Sequence, residues 1–326
     1  MNVESAHNNT SLSALEPRGA RIQLRDLLRW RLAAQFIPLE NRNNSSQLTG
    51  NRRSTLRGRG IDFDEVRIYQ PGDDVRTIDW RVTARTGKMH TKIFHEEKER
   101  PVILVIDLRS TMFFGSRRCF KSVLAANAAA LLAWAALAAG DRIGALLVTD
   151  SGIIDIKPRR SRHTLLQIFR QMLALDEQHA SNTFAADTTT HWQHAMHQLR
   201  SMTRPGSCII MLSDFHDWNT ECQQALHPVV RHSQCFSICV QDALEQQLPV
   251  IGLVSVRAGQ KKTTIDTLNE KILSRYQQAT QRQQQAVKVA MRTLKVPLLA
   301  LQTDTAIFSH LRSFFSHQVS RERDEQ

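Results

Sequence analysis

The sequence predicts an α/β fold, a doubly wound and mainly parallel sheet preceded by a small β-rich module. Three observations lead there. Continuous apolar runs such as VILVID (102–107) and CIIMLS (208–213) read as strands buried on both faces. Stretches with helical spacing alternate with them, which is the order of a sheet covered by helices on either side. Ahead of Pro101, glycines and arginines over 48–66 suggest loops, and two β-type runs flank a turn dense in acids and arginines.

Residues 1–20 read as a mobile tail, and Leu24, Leu27, Leu28, Leu32 and Phe36 then recur at helical spacing. In YQPGDDVRTIDW (69–80), Pro71 and Gly72 suit the centre of a type II turn, so a hairpin is expected. Arg76, Ile78, Trp80 and Val82 would alternate along its second arm. From Pro101 the pattern becomes strand (VILVID), helix (about 118–139), strand (142–150), strand (152–158) and helix (161–175). A helix over 188–202, strands at 207–214 and 233–241 flanking a helix at 220–230, and GLVSV at 252–256 follow. A Gln-rich helix from about 266 to 294, a strand at 296–302 and a terminal helix end the alternation. The predicted organisation is a tail over 1–20, a helix and β-rich module over 21–100, the α/β domain over 101–318 and a tail over 319–326.

Of the 326 residues, 41% are hydrophobic and 23% charged, an ordinary globular balance. The net charge of +12 attracts polyanions in general, but the basic residues fall in short groups without the aromatic pattern of RNA-binding modules. A polyanion site on the loops Arg52–Arg59 and Arg159–Arg162 is kept as the alternative function, and nucleic acid is not the expected partner. Five cysteines without CxxC spacing read as buried thiols of a reducing cytosol, and no signal peptide is recognised at the start, so a cytoplasmic location is expected. Residues 123–139 are nearly uncharged but Ala-rich and short for a span, so a buried core helix is expected there and no membrane span.

In doubly wound sheets ligands bind beyond the carboxyl ends of strands where the strand order reverses. VILVID ends in Asp107 and continues LRSTM; CIIMLS is followed by Asp214. If those strands are neighbours, the two carboxylates face one crevice with Ser110 and Thr111 at its mouth, and hard oxygen ligands of this kind suit Mg²⁺. D-x-R-S-T-M after an apolar strand resembles a von Willebrand factor A domain, whose metal-ion-dependent adhesion site reads D-x-S-x-S. The resemblance implies Asp107, Thr111, Thr190 and Asp214 as metal ligands, with Arg109 departing from the motif's middle Ser. Two alternatives follow. The guanidinium pairs with a carboxylate in the place of the metal, or it points to solvent and Mg²⁺ binds.

The stretch from Leu24 to Phe315 resembles the bacterial domain of unknown function 58 family, on the signature Tyr69, Gly72, Asp73, Asp74, Arg76, Asp79 and Trp80. That resemblance implies a MoxR-type AAA+ ATPase as partner. The signature's charges read as a clasp holding the module on the sheet domain, or as a contact surface. The histidines of HWQHAMH (191–197) drift around a helix without a metalloprotease glutamate, so zinc is not expected. A haloacid dehalogenase-type phosphatase would need a carboxylate where Arg109 stands, and no G-x-S-x-G elbow or Walker loop is present. The expected function is that of a non-enzymatic interaction adaptor, binding through Asp107, Arg109, Ser110, Thr111 and Asp214 and working with the AAA+ ATPase in protein remodelling.

Overall fold

The computed structural model describes residues 15–39, 61–70, 73, 75, 78–96, 99–181, 191–258 and 261–324. In chain order the helices are α1 (Leu24–Arg29), α2 (Arg31–Ala34), α3 (Trp80–Thr86), α4 (Lys121–Ala138), α5 (Arg162–Ser181), α6 (His191–Met202), α7 (Thr220–Val230), α8 (Ala243–Gln246), α9 (Glu270–Thr293) and α10 (Ile307–Asp324). The strands are β1 (Ile61–Ile68), β2 (His90–Glu96), β3 (Pro101–Asp107), β4 (Arg142–Thr149), β5 (Gly152–Arg159), β6 (Cys208–Ser213), β7 (Gln234–Gln241), β8 (Leu253–Ala258), β9 (Lys261–Asp266) and β10 (Leu298–Gln302). The chain divides into two compact units, Met1–Leu39 with Arg100–Gln326, and Glu40–Glu99.

In the larger unit a six-stranded sheet runs in the order β10-β7-β6-β3-β4-β5. All neighbours are parallel except β4 and β5. The apolar runs read as central strands are central: β3 and β6 are almost wholly buried, because helices cover both of their faces. One face packs on α4, α5 and α10, the other on α6, α7 and the end of α9. GLVSV lies outside this sheet, pairing antiparallel with the polar β9.

Helix α4 is apolar all round because it is covered all round. Of the described helices it alone is long and apolar enough to cross a membrane, and 89% of it is buried inside the unit. Its outer side is capped by α1 and α2: the Trp30 indole donates to Asn127 Oδ1 at 2.9 Å, and the Trp134 indole to the Leu27 carbonyl at 3.0 Å. These bonds give Asn127 a partner where an unpaired amide would cost about 1–3 kcal/mol. The packed stripe of α1 and α2 is Leu27, Trp30, Ala33 and Ala34, while Leu24, Leu28, Leu32 and Phe36 remain exposed.

In the smaller unit β1 and β2 pair antiparallel with an irregularity between Phe63 and Glu65. Where the second hairpin arm is expected, Trp80 and Val82 lie in helix α3 and Ile78 makes a single antiparallel bridge to Thr91, and the strand partner of β1 comes later in the chain. Asp79 accounts for this: its carboxylate caps the helix, accepting from Arg81 N at 3.0 Å and Val82 N at 3.2 Å. Gly87, at φ 69°, closes α3 in the left-handed region. Tyr69 and Asp73 meet at the end of β1, where Asp73 also accepts from Arg67 Nη2 at 2.7 Å. Gly72, Asp74 and Arg76 lie outside the described residues, as do Thr190 and the loop Arg52–Arg59.

Candidate functional site

Strands β3 and β6 are neighbours, and the chain turns away from them in opposite directions: β4 and β5 extend the sheet on one side, β7 and β10 on the other. The reversal point therefore lies between Asp107 and Ser213-Asp214, as expected. Asp107 and Arg109 are both fully buried there. Arg109 turns back over its own strand: Nε bonds Asp107 Oδ1 at 3.0 Å, Nη2 bonds Asp107 Oδ2 at 2.9 Å, and Nη1 reaches Asp217 Oδ2 at 3.0 Å. The Arg109 backbone N–H and the Ser213 hydroxyl add bonds to Asp107 at 3.1 and 2.6 Å. The guanidinium lies 5.7 Å from the ring centroid of Trp192, which stacks on Phe215.

A second buried cation stands alongside. Lys121, at the start of α4, donates from Nζ to Asp214 Oδ2 at 2.8 Å and also bonds Glu245. Asp214 Oδ1 accepts the His216 N–H at 3.0 Å. At the mouth, Ser110 N bonds Asp150 Oδ2 at 2.9 Å, beyond the end of β4. Further along, Asp242 caps α8 and accepts from Ser116 N at 2.8 Å and Thr303 Oγ1 at 2.6 Å.

The electrostatics follow from this pairing. Burial alone would weaken proton binding by Arg109, but Asp107, Asp214 and Asp217 reverse that and hold its proton more firmly than usual. Burial pushes the Asp107 carboxyl up; the guanidinium on both its oxygens and the Ser213 hydroxyl oppose this, and the geometry is that of a carboxylate. Burial would raise Asp214, yet Lys121 and the His216 N–H bring it below the ordinary range. Lys121 is raised, with Asp214 and Glu245 outweighing its own burial.

These commitments decide whether the residues fit a divalent cation. Both oxygens of Asp107 are bonded to Arg109, and Asp214 is held by Lys121 and a backbone N–H. Thr111 Oγ1 is buried without a partner, but a lone hydroxyl is no ligand set. The described part of the site does not fit Mg²⁺. Among the described residues no three His, Cys, Asp or Glu side chains gather as metal ligands, and His194 and His197 are exposed on α6.

Of the residues expected at the rim, Ser110, Thr111 and Asp214 keep partial exposure, whereas Asp107 and Arg109 lie beneath the surface. Sequence reading did not single out Lys121, Asp150, Trp192, Asp217 or Glu245. Asp217 stands three residues after Asp214 and was within reach of a local search; the others converge from distant segments. In the smaller unit Trp80 is 65% exposed. Arg159, Arg160 and Arg162 are also exposed. All five cysteines are buried, and none is in a disulfide.

A family model described as "Protein of unknown function DUF58" matches residues 65–286. Uncharacterized proteins of Mycobacterium bovis and Mycobacterium tuberculosis are each 30% identical over 211 residues, 63% of this chain. The match spans 62% of those relatives' own length. Among solved structures, the conserved hypothetical protein BatB of Bacteroides thetaiotaomicron aligns with TM-score 0.43 and 13% identity, over 68% of this chain and 99% of that one. An aerotolerance-related membrane protein of Bacteroides fragilis aligns with TM-score 0.41 and 10% identity, over 67% of this chain and 99% of that one. The second of these is described as a membrane protein, and the cytoplasmic location expected from the sequence is not kept.

Proposed function

The chain belongs to this family, Protein of unknown function DUF58, and on that premise we propose that it is a non-enzymatic protein-interaction adaptor built on a von Willebrand factor A-like domain whose metal position is taken by cations of the chain itself. The observation that carries the reading is the Arg109 guanidinium seated between Asp107 and Asp217. The sheet order and the antiparallel edge strand β5 support the A-type assignment.

A metal-dependent adhesion site presents a cation at the carboxyl end of its sheet to a partner carboxylate. Here the positive charge is covalently fixed and already neutralised by Asp107, Asp217, Asp214 and Glu245. The rim is then a rigid polar surface rather than an open coordination position. Arg109 and Asp107 act as positioning residues, holding the loop that carries Ser110 and Thr111, and those two with Asp214 meet the partner. The family resemblance makes that partner a MoxR-type AAA+ ATPase, with Trp80 of the smaller unit as a second contact.

Capture of partners by the tagged full chain from its native host tests this, with and without Mg²⁺-ATP, with EDTA and no nucleotide, and as Ser110→Arg. An AAA+ ATPase retained in EDTA and lost in a Ser110→Arg chain of unchanged melting temperature is the expected result. Capture abolished by EDTA even without nucleotide would restore the metal. Recovery of mainly nucleic acid, indifferent to Ser110→Arg, would replace the reading with polyanion binding.

A further inference from the structure

The far end of the same sheet carries a second feature, independent of the Asp107 rim. A cavity of about 1340 Å³ opens between the C-terminal turns of α7 and α9 and the starts of β7 and β10. Because β7 and β10 run parallel to β6, this is the end of the sheet opposite the candidate site.

Its lining is one-signed. His227, Arg231, Lys288, Arg292 and Lys295 line it, and no described Asp or Glu does. Complementing the negative ends of two helices accounts for Arg231 and Arg292. It does not account for Lys288, a turn earlier, or Lys295, beyond the end of α9. The accessible apolar wall between the charges is formed by Val230, Pro297, Leu298 and Ala300, with Phe236, Met291, Leu294 and Val296 buried beneath it.

Lys295 also departs from backbone preference. It has φ 55°, closing α9 with Lys295 N to the Arg292 carbonyl at 3.0 Å and Val296 N to the Met291 carbonyl at 2.9 Å. Glycine is the usual residue at such a helix end, since an L side chain strains the left-handed region. The other described non-glycine residue with positive φ is Phe215, inside the Asp107 site. Backbone strain of this kind collects where a side chain is needed in place. In addition, Ser233 lines the cavity, and its hydroxyl is buried without a hydrogen-bond partner.

We propose that this groove binds an acidic, partly apolar peptide segment of a partner protein. Charge complementarity selects an anionic occupant. The apolar wall selects one with hydrophobic side chains between its acids, and β10, an edge strand whose Leu298 and Ala300 reach the groove, provides backbone along which an extended segment can lie. Single-stranded nucleic acid fits less well, because the groove's aromatic ring, Phe236, is only 4% exposed and offers no face for base stacking.

Fluorescence anisotropy on the full chain tests the proposal with a labelled peptide of alternating Glu and Leu as probe. A Lys–Leu peptide and a single-stranded oligonucleotide serve as comparators. Saturable binding of the Glu–Leu peptide alone is expected, weakened about tenfold or more by Lys288→Glu with Arg292→Glu. Lys295→Gly separates binding from folding: it relieves the backbone, so it should melt no lower than the parent while binding the probe more weakly. Undiminished Glu–Leu binding by both variants would overturn the proposal. So would tighter binding of the oligonucleotide that falls in the same variants.

Discussion

Arg109 grips the carboxylate two residues before it, Asp107, through two near-parallel hydrogen bonds of 3.0 and 2.9 Å, and neither side chain reaches solvent. Replacing the guanidinium leaves a buried carboxylate without its counter-ion, a change that costs about 3–5 kcal/mol. Arg109→Ser is therefore expected to unfold at clearly lower urea concentration in EDTA. It also re-creates the D-x-S-x-T spacing and frees the Asp107 oxygens, so millimolar Mg²⁺ should recover part of the loss. The parent chain should unfold identically in EDTA and Mg²⁺. An Arg109→Ser chain as stable as the parent in EDTA would contradict the pairing.

The neighbouring pair, Lys121 with Asp214, makes a prediction in pH. The Asp214 carboxyl is held below its ordinary 3.8 despite burial, chiefly by Lys121, so its contribution is complete above that value and is lost as the pH falls through the lower folded pKa. Lys121 is held above 10.5, so its share is complete below that value and is lost only on alkalinisation through the folded pKa. Asp214→Asn should cost about 1.5–3 kcal/mol. The gap from the parent should stay level between about pH 5 and 8 and shrink below 3.8. Chemical denaturation across that range measures it.

How much of this was legible from residues alone varies by element. VILVID and CIIMLS announced central strands because only burial on both faces tolerates such runs, but whether the two were neighbours at the reversal point stayed open until the strand order settled it. Arg109 was visible as the residue out of place in an adhesion-site motif. Its second partner Asp217 and the Trp192 ring beneath it were not, since each arrives through tertiary packing that spacing does not encode. The Arg76-Ile78-Trp80-Val82 alternation favoured a strand over Trp80 and Val82, but a capping aspartate at 79 gave the backbone a better local alternative. β9 escaped because KKTTID has no apolar face to signal a strand.

The cysteines make a prediction about reactivity. Burial pushes the Cys119, Cys235 and Cys239 thiols up to about 12, and raises Cys222 as well. The thiolate is the reactive form, so these groups should resist labelling in the folded chain at neutral pH. Labelling with a disulfide reagent across a urea series is expected to follow the unfolding transition. Rapid reaction of Cys235 or Cys239 in native buffer would contradict their burial.

Asp79 and Trp80, adjacent in the signature, should separate stability from contact. Asp79 caps α3 through two backbone N–H groups, and losing such a cap costs about 1 kcal/mol. Asp79→Ala should therefore speed hydrogen exchange across Trp80–Thr86. Trp80 is 65% exposed, so Trp80→Ala should change stability by no more than about 0.5 kcal/mol. Exposed tryptophans anchor interfaces out of proportion to their number, and the same variant should weaken capture of the proposed AAA+ partner by about tenfold or more. The two readouts discriminate because a packed indole would move the melting temperature along with binding, whereas a contact residue moves binding alone. Equal destabilisation by Trp80→Ala and Asp79→Ala would place Trp80 in packing and leave the rim around Ser110 as the contact proposed for the ATPase.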